Sequence, residues 1–119
     1  MSVEIDDTDD LRRHINPDHF HDDGTVSLAA YKTTNMSLDL GRLRDLEASK
    51  NSRPGWGMTE FKASVPRGCG LTVEYTPIKD SPDEPDNDSH CEIPGKIKEG
   101  QAKKLRNAHQ IVYNPKSAS

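Results

Sequence analysis

Two short segments, 61–65 and 71–75, alternate strictly between apolar and polar residues. A period of two places the apolar side chains of a β-strand on one face, which is typical of antiparallel sheets with one face in water. Gly68 and Gly70 lie between the segments and favour a turn, so the pattern predicts a β-hairpin. The expected core residues are Phe61, Val65, Leu71, Val73 and Ile111, and the expected exposed residues are Lys62, Ser64, Thr72 and Glu74.

Three further segments, 36–40, 90–93 and 111–113, have the composition of short strands. Two other segments carry apolar residues at helical spacing. These residues are Leu40, Leu43 and Leu46 in the first, and Ala102, Leu105 and Ala108 in the second, which covers 101–109. The sequence therefore predicts an α+β fold, with a mainly antiparallel sheet of four to six strands and two or three helices.

The segment 9–15 has two interpretations. A short helix from Asp9 to Ile15 is our first choice, with Thr8 as its N-cap, because Leu11 and Ile15 lie four residues apart. A strand over 11–15 is the alternative. The segment 25–31 is equally open, because its apolar residues at 26, 28 and 30 alternate as in a strand, whereas Ser27 could cap a short helix over 28–31.

The chain has 119 residues, the size of one typical domain, and we place that domain at 8–114. Only 31% of the residues are apolar and 30% are charged, so we expect disordered tails at 1–7 and 115–119 and a mobile acidic loop at 80–88. No apolar run approaches the roughly 20 residues of a membrane span. The acidic first residues are unlike a secretory signal, and Cys69 and Cys91 are too few for a disulfide framework. A soluble, cytoplasmic protein is predicted.

The net charge of −4 is unevenly distributed along the chain. Residues 1–23 and 80–88 are strongly acidic, whereas 96–119 contains six basic residues and one acid. The basic residues are expected to lie on a solvated helix face, and the acids elsewhere would repel a polyanion. We therefore expect no nucleic-acid partner and no membrane partner. Another protein is the expected partner, and the oligomeric state stays open.

One cluster of candidate binding residues combines Arg12, Arg13 and His14 with Ser37 and Asp39. The guanidinium group presents a planar fork of donors that suits phosphate and carboxylate groups. The same arginines could instead balance the surrounding acids, so both roles stay open.

A second candidate is the pair His90 and Glu92, which would face the same way in a strand. An imidazole beside a carboxylate is a reasonable arrangement for a general base, although a strand with polar residues on its wet side has the same pattern. Cys91 would then face the core. The candidate catalytic residues are His90, Glu92, Arg13 and Ser37.

A third candidate places His19 and His21 beside Asp18, Asp22 and Asp23. Imidazoles and carboxylates bind metal ions, but the cluster ends in a turn and lacks the spacing of a metal motif. We interpret it as an exposed polar loop, and we expect neither a metal nor another cofactor.

Two sets of short motifs resemble a family of small bacterial proteins of uncharacterised activity. The first is Leu11, Arg13, Ile15, Pro17, Asp23-Gly24, Val26, Ser27, Ala30, Tyr31 and Met36-Ser37-Leu38-Asp39. The second is Leu71-Thr72-Val73, a proline-containing loop and Ser89-His90-Cys91-Glu92-Ile93. The resemblance covers 15–113 in outline and implies a bacterial cytosolic protein.

A further similarity is to ADP-ribosyltransferase-like folds, which place an arginine or histidine early, a Ser-Thr-type strand in the middle and an acid on a late strand. Arg13, Ser37 and Glu92 occur in that order. The Glu-x-Glu or Gln-x-Glu pair is missing, because His90 stands two residues before Glu92. We predict a non-catalytic binding or accessory module. The alternative is a small enzyme that acts on a nucleotide-type substrate through Arg13, His90 and Glu92.

Overall fold

The computed structural model describes residues 3–116, which form one six-stranded sheet. The strands are β1 (Asp10–Ile15), β2 (Thr34–Leu40), β3 (Gly57–Lys62), β4 (Glu74–Tyr75), β5 (His90–Lys96) and β6 (Gln110–Tyr113). Their order across the sheet is β4-β5-β2-β1-β3-β6, and all neighbours are antiparallel. β2 and β1 therefore lie at the centre. The predicted α+β class and the mainly antiparallel sheet are confirmed.

Helices lie on both faces of the sheet. The α-helices are α1 (Leu46–Ser52), α2 (Ser64–Gly68) and α3 (Glu99–Ala108), and short 3₁₀ helices cover Pro17–His19 and Leu28–Ala30. α3 contacts α2 and the second 3₁₀ helix. Its buried residues Ala102 and Leu105 belong to the same core as the inward-facing residues of the strands. The sheet residues of that core are Leu11, Ile15, Met36, Leu38, Leu40, Phe61, Cys91 and Ile93.

The opposite face of the sheet is polar and is partly covered by α1. His14 Nε2 lies 2.8 Å from the carbonyl of Ser49 on α1, and the hydroxyl of Ser49 donates to Asp39 at 2.8 Å. We call this side of the sheet the polar face. Helix α1 begins after Asp45, whose carboxylate accepts from the backbone N–H of Ala48 at 2.7 Å.

The prediction of a helix over 9–15 is wrong, and the alternative strand is confirmed as β1. A spacing of four places Leu11 and Ile15 on one face of a strand as well as on one face of a helix, so the spacing alone did not decide. In the segment 25–31 the helical alternative is confirmed, because Ser27 accepts from the N–H of Ala29 at 3.2 Å and caps the second 3₁₀ helix.

The prediction of a hairpin between 61–65 and 71–75 is wrong. β3 ends at Lys62 and pairs with β1 and β6, whereas β4 contains only Glu74–Tyr75 and pairs with β5. Val65 lies in helix α2. The alternation of apolar and polar residues in the sequence therefore extends beyond the end of β3 at Lys62. The exposure of Lys62, Ser64, Thr72 and Glu74 is confirmed.

The predicted core is partly confirmed. Phe61 is buried, and Val65, Leu71 and Val73 pack against the core as partly buried residues. The prediction for Ile111 is wrong, because this residue lies on the edge strand β6 and is 41% exposed.

The predicted strands at 36–40, 90–93 and 111–113 are confirmed as β2, β5 and β6. The helix expected from Leu40 begins only at Leu46, and Leu43 precedes it in an exposed turn. The helix expected over 101–109 runs from Glu99 to Ala108, where Ala108 is exposed because the chain leaves the core there to enter β6.

Residues 1–2 and 117–119, which belong to the expected tails, lie outside the described residues. Val3 and Ile5 pack against the core, and Arg67 donates to Asp7 at 2.7 Å. Disorder of the tails and mobility of the acidic loop stay predictions. None of the helices within residues 3–116 has the length and apolar content that a membrane crossing requires.

Candidate functional site

The two central strands, β1 and β2, separate halfway along their length. Their register ends at the pair Arg12–Asp39. Beyond that pair the side chain of Arg13 takes the place of the next backbone contact, because its Nη1 donates to the carbonyl of Ser37 at 3.2 Å. Its Nη2 donates to the carbonyl of Ala30 at 3.5 Å. The guanidinium group thereby connects β1 to β2 and to the second 3₁₀ helix.

A cleft of about 240 Å³ opens where β1 and β2 separate. We call it the central cleft, and three parts of the chain line it. The strands contribute Arg13, His14, Ser37, Leu38, Asp39 and His90. The segment that carries α1 contributes Arg44, Ser52 and Arg53. The acidic loop contributes Ile78, Glu84, Pro85, Asp86 and Asn87.

Three arginines, Arg13, Arg44 and Arg53, line the central cleft. Burial lowers the pKa of Arg13, and the charge of Arg53 lowers it further. Burial is also the main reason that the pKa of His14 is lowered, and the charges of Arg53 and Arg44 act in the same direction. In both residues burial is the largest cause, and the charges of the neighbouring arginines add to it.

Two of the three arginines have no carboxylate partner within residues 3–116. Arg44 lies 3.3 Å from Asp39, whereas no ion pair among residues 3–116 includes Arg13 or Arg53. Nε of Arg13 is buried and has no hydrogen-bond partner among residues 3–116. The guanidinium group of Arg53 lies 4.7 Å from the centre of the Trp56 ring. The cleft thus contains two guanidinium groups whose charge no described carboxylate neutralises at close range.

The buried carboxylate of Asp39 connects the walls of the cleft. It accepts hydrogen bonds from Ser49 Oγ at 2.8 Å and from Asn87 Nδ2 at 3.0 Å, in addition to its ion pair with Arg44. Burial by itself would raise the pKa of Asp39, but the bonds from Asn87 and Ser49 and the charge of Arg44 outweigh burial and lower it. Asp39 is therefore ionised at neutral pH and joins α1 to the acidic loop.

The ring of His90 has a defined orientation at the cleft. Its Nδ1 lies 2.8 Å from the carbonyl of Thr76, and a carbonyl can only accept, so Nδ1 carries the proton of the neutral ring. Nε2 then has a free lone pair and forms no hydrogen bond with residues 3–116. Nε2 is therefore the ring nitrogen of His90 that is left for a ligand.

The structure brings together three of the four residues that the sequence nominated. Arg13, Ser37 and His90 line the central cleft. Glu92 does not line it, although β5 places it opposite Ser37 on one side and opposite Glu74 on the other. Cys91 faces the core, as predicted, where burial raises its pKa to about 12.

The arginine cluster nominated from the sequence divides between two roles. Arg12 donates to Glu60 at 2.9 Å and to the carbonyl of Arg44, so it balances an acid and supports the fold. Arg13 and Asp39 line the cleft. The sequence analysis did not nominate Arg44 and Arg53 on one side of the cleft, or Glu84 and Asp86 on the other. These residues belong to separate segments that meet only in the folded chain.

A second, more open cavity of about 500 Å³ lies beside β6 and the end of α3. Its lining includes His21, from the candidate metal cluster, together with Arg106 and His109. Nδ1 of His109 lies 2.5 Å from the hydroxyl of Tyr31. Within residues 3–116, no group of three or more His, Cys, Asp or Glu side chains is placed to hold a metal ion.

Comparisons of this chain with protein-family models, with curated proteins and with solved structures found no match. The similarities to a bacterial family and to ADP-ribosyltransferase-like folds therefore stay predictions.

Proposed function

We propose that this protein is a non-catalytic binding module that holds a small anionic ligand in the central cleft. The observation that carries the proposal is the pair Arg13 and Arg53, which line one cleft without a carboxylate partner in residues 3–116. Guanidinium groups suit carboxylates and phosphates because their donors lie in one plane.

The size of the cleft limits the ligand. Ligand pockets in proteins span about 300–1,000 Å³, and the central cleft has about 240 Å³. A small monomeric compound fits this volume.

The lining of the cleft favours binding over the enzyme alternative. That alternative needs Arg13, His90 and Glu92 around one substrate, but Glu92 is not among the lining residues. Asp39, which lies opposite His90 in the strand register, already accepts from Ser49, Asn87 and Arg44. Of the three residues that this alternative names, only Arg13 and His90 line the cleft, so it lacks the carboxylate that it assigned to Glu92.

We also propose a cytoplasmic location in a bacterium, supported by the family resemblance and by the free thiols of Cys69 and Cys91. The accessory role and the protein partner are part of the same proposal. In this view the occupied cleft is the state that a partner recognises.

Thermal unfolding in the presence of acetate or orthophosphate tests the anion site, because a ligand that binds only the folded state raises the melting temperature. Ionic strength is held constant with chloride. We expect a saturable rise for the wild type and for Arg106→Ala, whose arginine lies outside the central cleft. The rise should be absent or much reduced for Arg53→Ala.

Arg53 is exposed and makes no ion pair in the described residues, so its removal is expected to leave the fold intact. Arg106 also makes no ion pair in residues 3–116 and is therefore a suitable control. An equal rise in melting temperature for Arg53→Ala and Arg106→Ala on addition of acetate or orthophosphate would contradict the proposal.

A further inference from the structure

The central cleft has walls of opposite charge. Arg13 and Arg53 line it from β1 and from the turn after α1, whereas Glu84 and Asp86 line it from the acidic loop. None of these four residues forms an ion pair within residues 3–116, where an ion pair has its nitrogen and oxygen atoms no more than 4.0 Å apart. The positive and negative groups therefore border the same space without pairing across it.

The acidic wall is fixed at its base. Ile78 and Asn87 exchange two backbone hydrogen bonds of 3.0 and 2.9 Å, which close the loop. The side chain of Asn87 donates to the buried Asp39 at 3.0 Å, and Asp86 accepts from the N–H of Asp80 at 3.0 Å. These contacts fix the base of the loop and the carboxylate of Asp86, and Glu84 lines the cleft from the same loop.

Simple anions meet opposing forces in such a site. A phosphate or a carboxylate is attracted by Arg13 and Arg53 but is repelled by Glu84 and Asp86 at the other wall. A compound that carries both charges is attracted by both walls. Opposite walls that do not pair with each other thus favour a ligand that bridges them.

We infer that the ligand is a zwitterion of amino-acid size, a free amino acid. This inference rests on the proposed function and names the class of ligand for the same site. The carboxylate of the ligand lies against Arg13 and Arg53, and its ammonium group lies against Glu84 and Asp86. When the ring of His90 is uncharged with its proton on Nδ1, Nε2 accepts one further N–H of the ammonium group. The small volume of the cleft fits a single amino acid.

The test compares each amino acid with its two singly charged analogues. The standard L-α-amino acids are first screened by saturation-transfer NMR against the full-length protein. Each amino acid that binds is then titrated beside the carboxylic acid that lacks its amine and beside the amine that lacks its carboxylate. The inference predicts that the zwitterion binds at least about ten-fold more tightly than either analogue.

A pair of variants separates the two walls. Glu84→Gln combined with Asp86→Asn is expected to weaken the amino acid about ten-fold, and to leave unchanged or strengthen binding of acetate. Asp83→Asn is the matched control, because Asp83 is an exposed acid of the same loop that does not line the cleft. This control should bind the amino acid as the wild type does.

The outcomes distinguish this inference from the proposed function. Equal binding of the amino acid and its amine-free analogue would overturn the zwitterion, as would unchanged amino-acid binding in the double variant. In either case acetate or phosphate binding that depends on Arg53 would still support the anion site. Failure of every amino acid and of both simple anions to bind would overturn the inference and the proposed function together.

Discussion

Nη1 of Arg13 lies 3.2 Å from the carbonyl of Ser37, at the level where β1 and β2 no longer pair. An antiparallel pair ordinarily continues its backbone hydrogen bonds along its whole length. Here a guanidinium group replaces one of these contacts, and Nε of the same group stays buried without a partner. The central cleft exists because the two central strands separate around Arg13.

The buried carboxylate of Asp39 should contribute strongly to stability. Asp39→Asn is expected to lower the free energy of unfolding by roughly 1–3 kcal/mol at neutral pH, because Ser49 and Arg44 lose a charged acceptor. Urea denaturation measures the change. Asp83→Asn, at an exposed position without an ion pair in residues 3–116, should stay within about 0.5 kcal/mol of the wild type.

We also expect Asp39 to make the free energy of unfolding depend on pH under acidic conditions. The pKa of Asp39 is lowered in the folded protein, so the unfolded chain binds more protons as the pH falls. The stability from Asp39 is present above the unfolded pKa of about 3.9 and is lost as the pH falls through the folded value. Below about pH 4 the wild type should therefore lose stability more steeply than Asp39→Asn. Parallel curves would contradict this role.

His14 predicts a second pH dependence, at milder acidity. Its pKa is lowered mainly by burial, so the unfolded chain takes up more protons near pH 6. The contribution of the neutral ring is present above about pH 6.5 and is lost as the pH falls through the folded pKa. His14→Gln should flatten the change in unfolding free energy between about pH 7 and pH 5. His21→Gln, which removes an exposed imidazole, is the control and should leave the slope as it is.

The start of α1 should affect both stability and the cleft. Asp45→Ala removes the acceptor for the N–H of Ala48, which lies 2.7 Å from the carboxylate, and should cost about 1 kcal/mol. Because α1 also positions Ser52 and Arg53 at the cleft, the variant should bind anions more weakly. Glu47→Ala lies in the same helix without such a bond and should change neither property. If Asp45→Ala loses the expected stability but binds anions as the wild type does, the prediction that α1 positions the binding residues is wrong.

Two glycines should respond differently to the same change. A Cβ at Gly57 would lie 2.2 Å from the buried ring of Phe20 and 3.0 Å from the carbonyl of Tyr113. Gly57→Ala should therefore lower the free energy of unfolding by roughly 1–3 kcal/mol. A Cβ at Gly68 meets nothing within 4 Å, and this residue lies in α2, so Gly68→Ala should be neutral or slightly stabilising. Equal effects in urea denaturation would contradict the packing described around Phe20.

Local sequence patterns identified the class of the fold but not the pairing of its strands. The alternation at 61–65 was correct as far as Lys62, but the pattern carries no information on where a strand ends. Leu11 and Ile15 are compatible with a helix or a strand, and only pairing with β2 and β3 selects the strand. Ile111 is apolar yet exposed because β6 is an edge strand, which no local pattern reveals.

The site was partly accessible from the sequence, through the chemistry of single residues. Arg13, Ser37 and His90 were nominated because their types suit anion binding and proton transfer, and all three line the cleft. Arg53 and Glu84 were not nominated. They lie in segments without a recognisable motif, and only the folded structure shows that both side chains line the same cleft.

The Nε–Hε signals of the arginine side chains test the central claim most directly, because they report on the groups that are proposed to bind the anion. Proton–nitrogen correlation spectra are recorded while acetate, and separately orthophosphate, is added at constant ionic strength. We predict saturable shifts of the Arg13 and Arg53 signals, with the Arg67 and Arg106 signals unchanged. Shifts confined to Arg67 or Arg106, or shifts of all arginines that grow without saturation, would contradict an anion site in the central cleft.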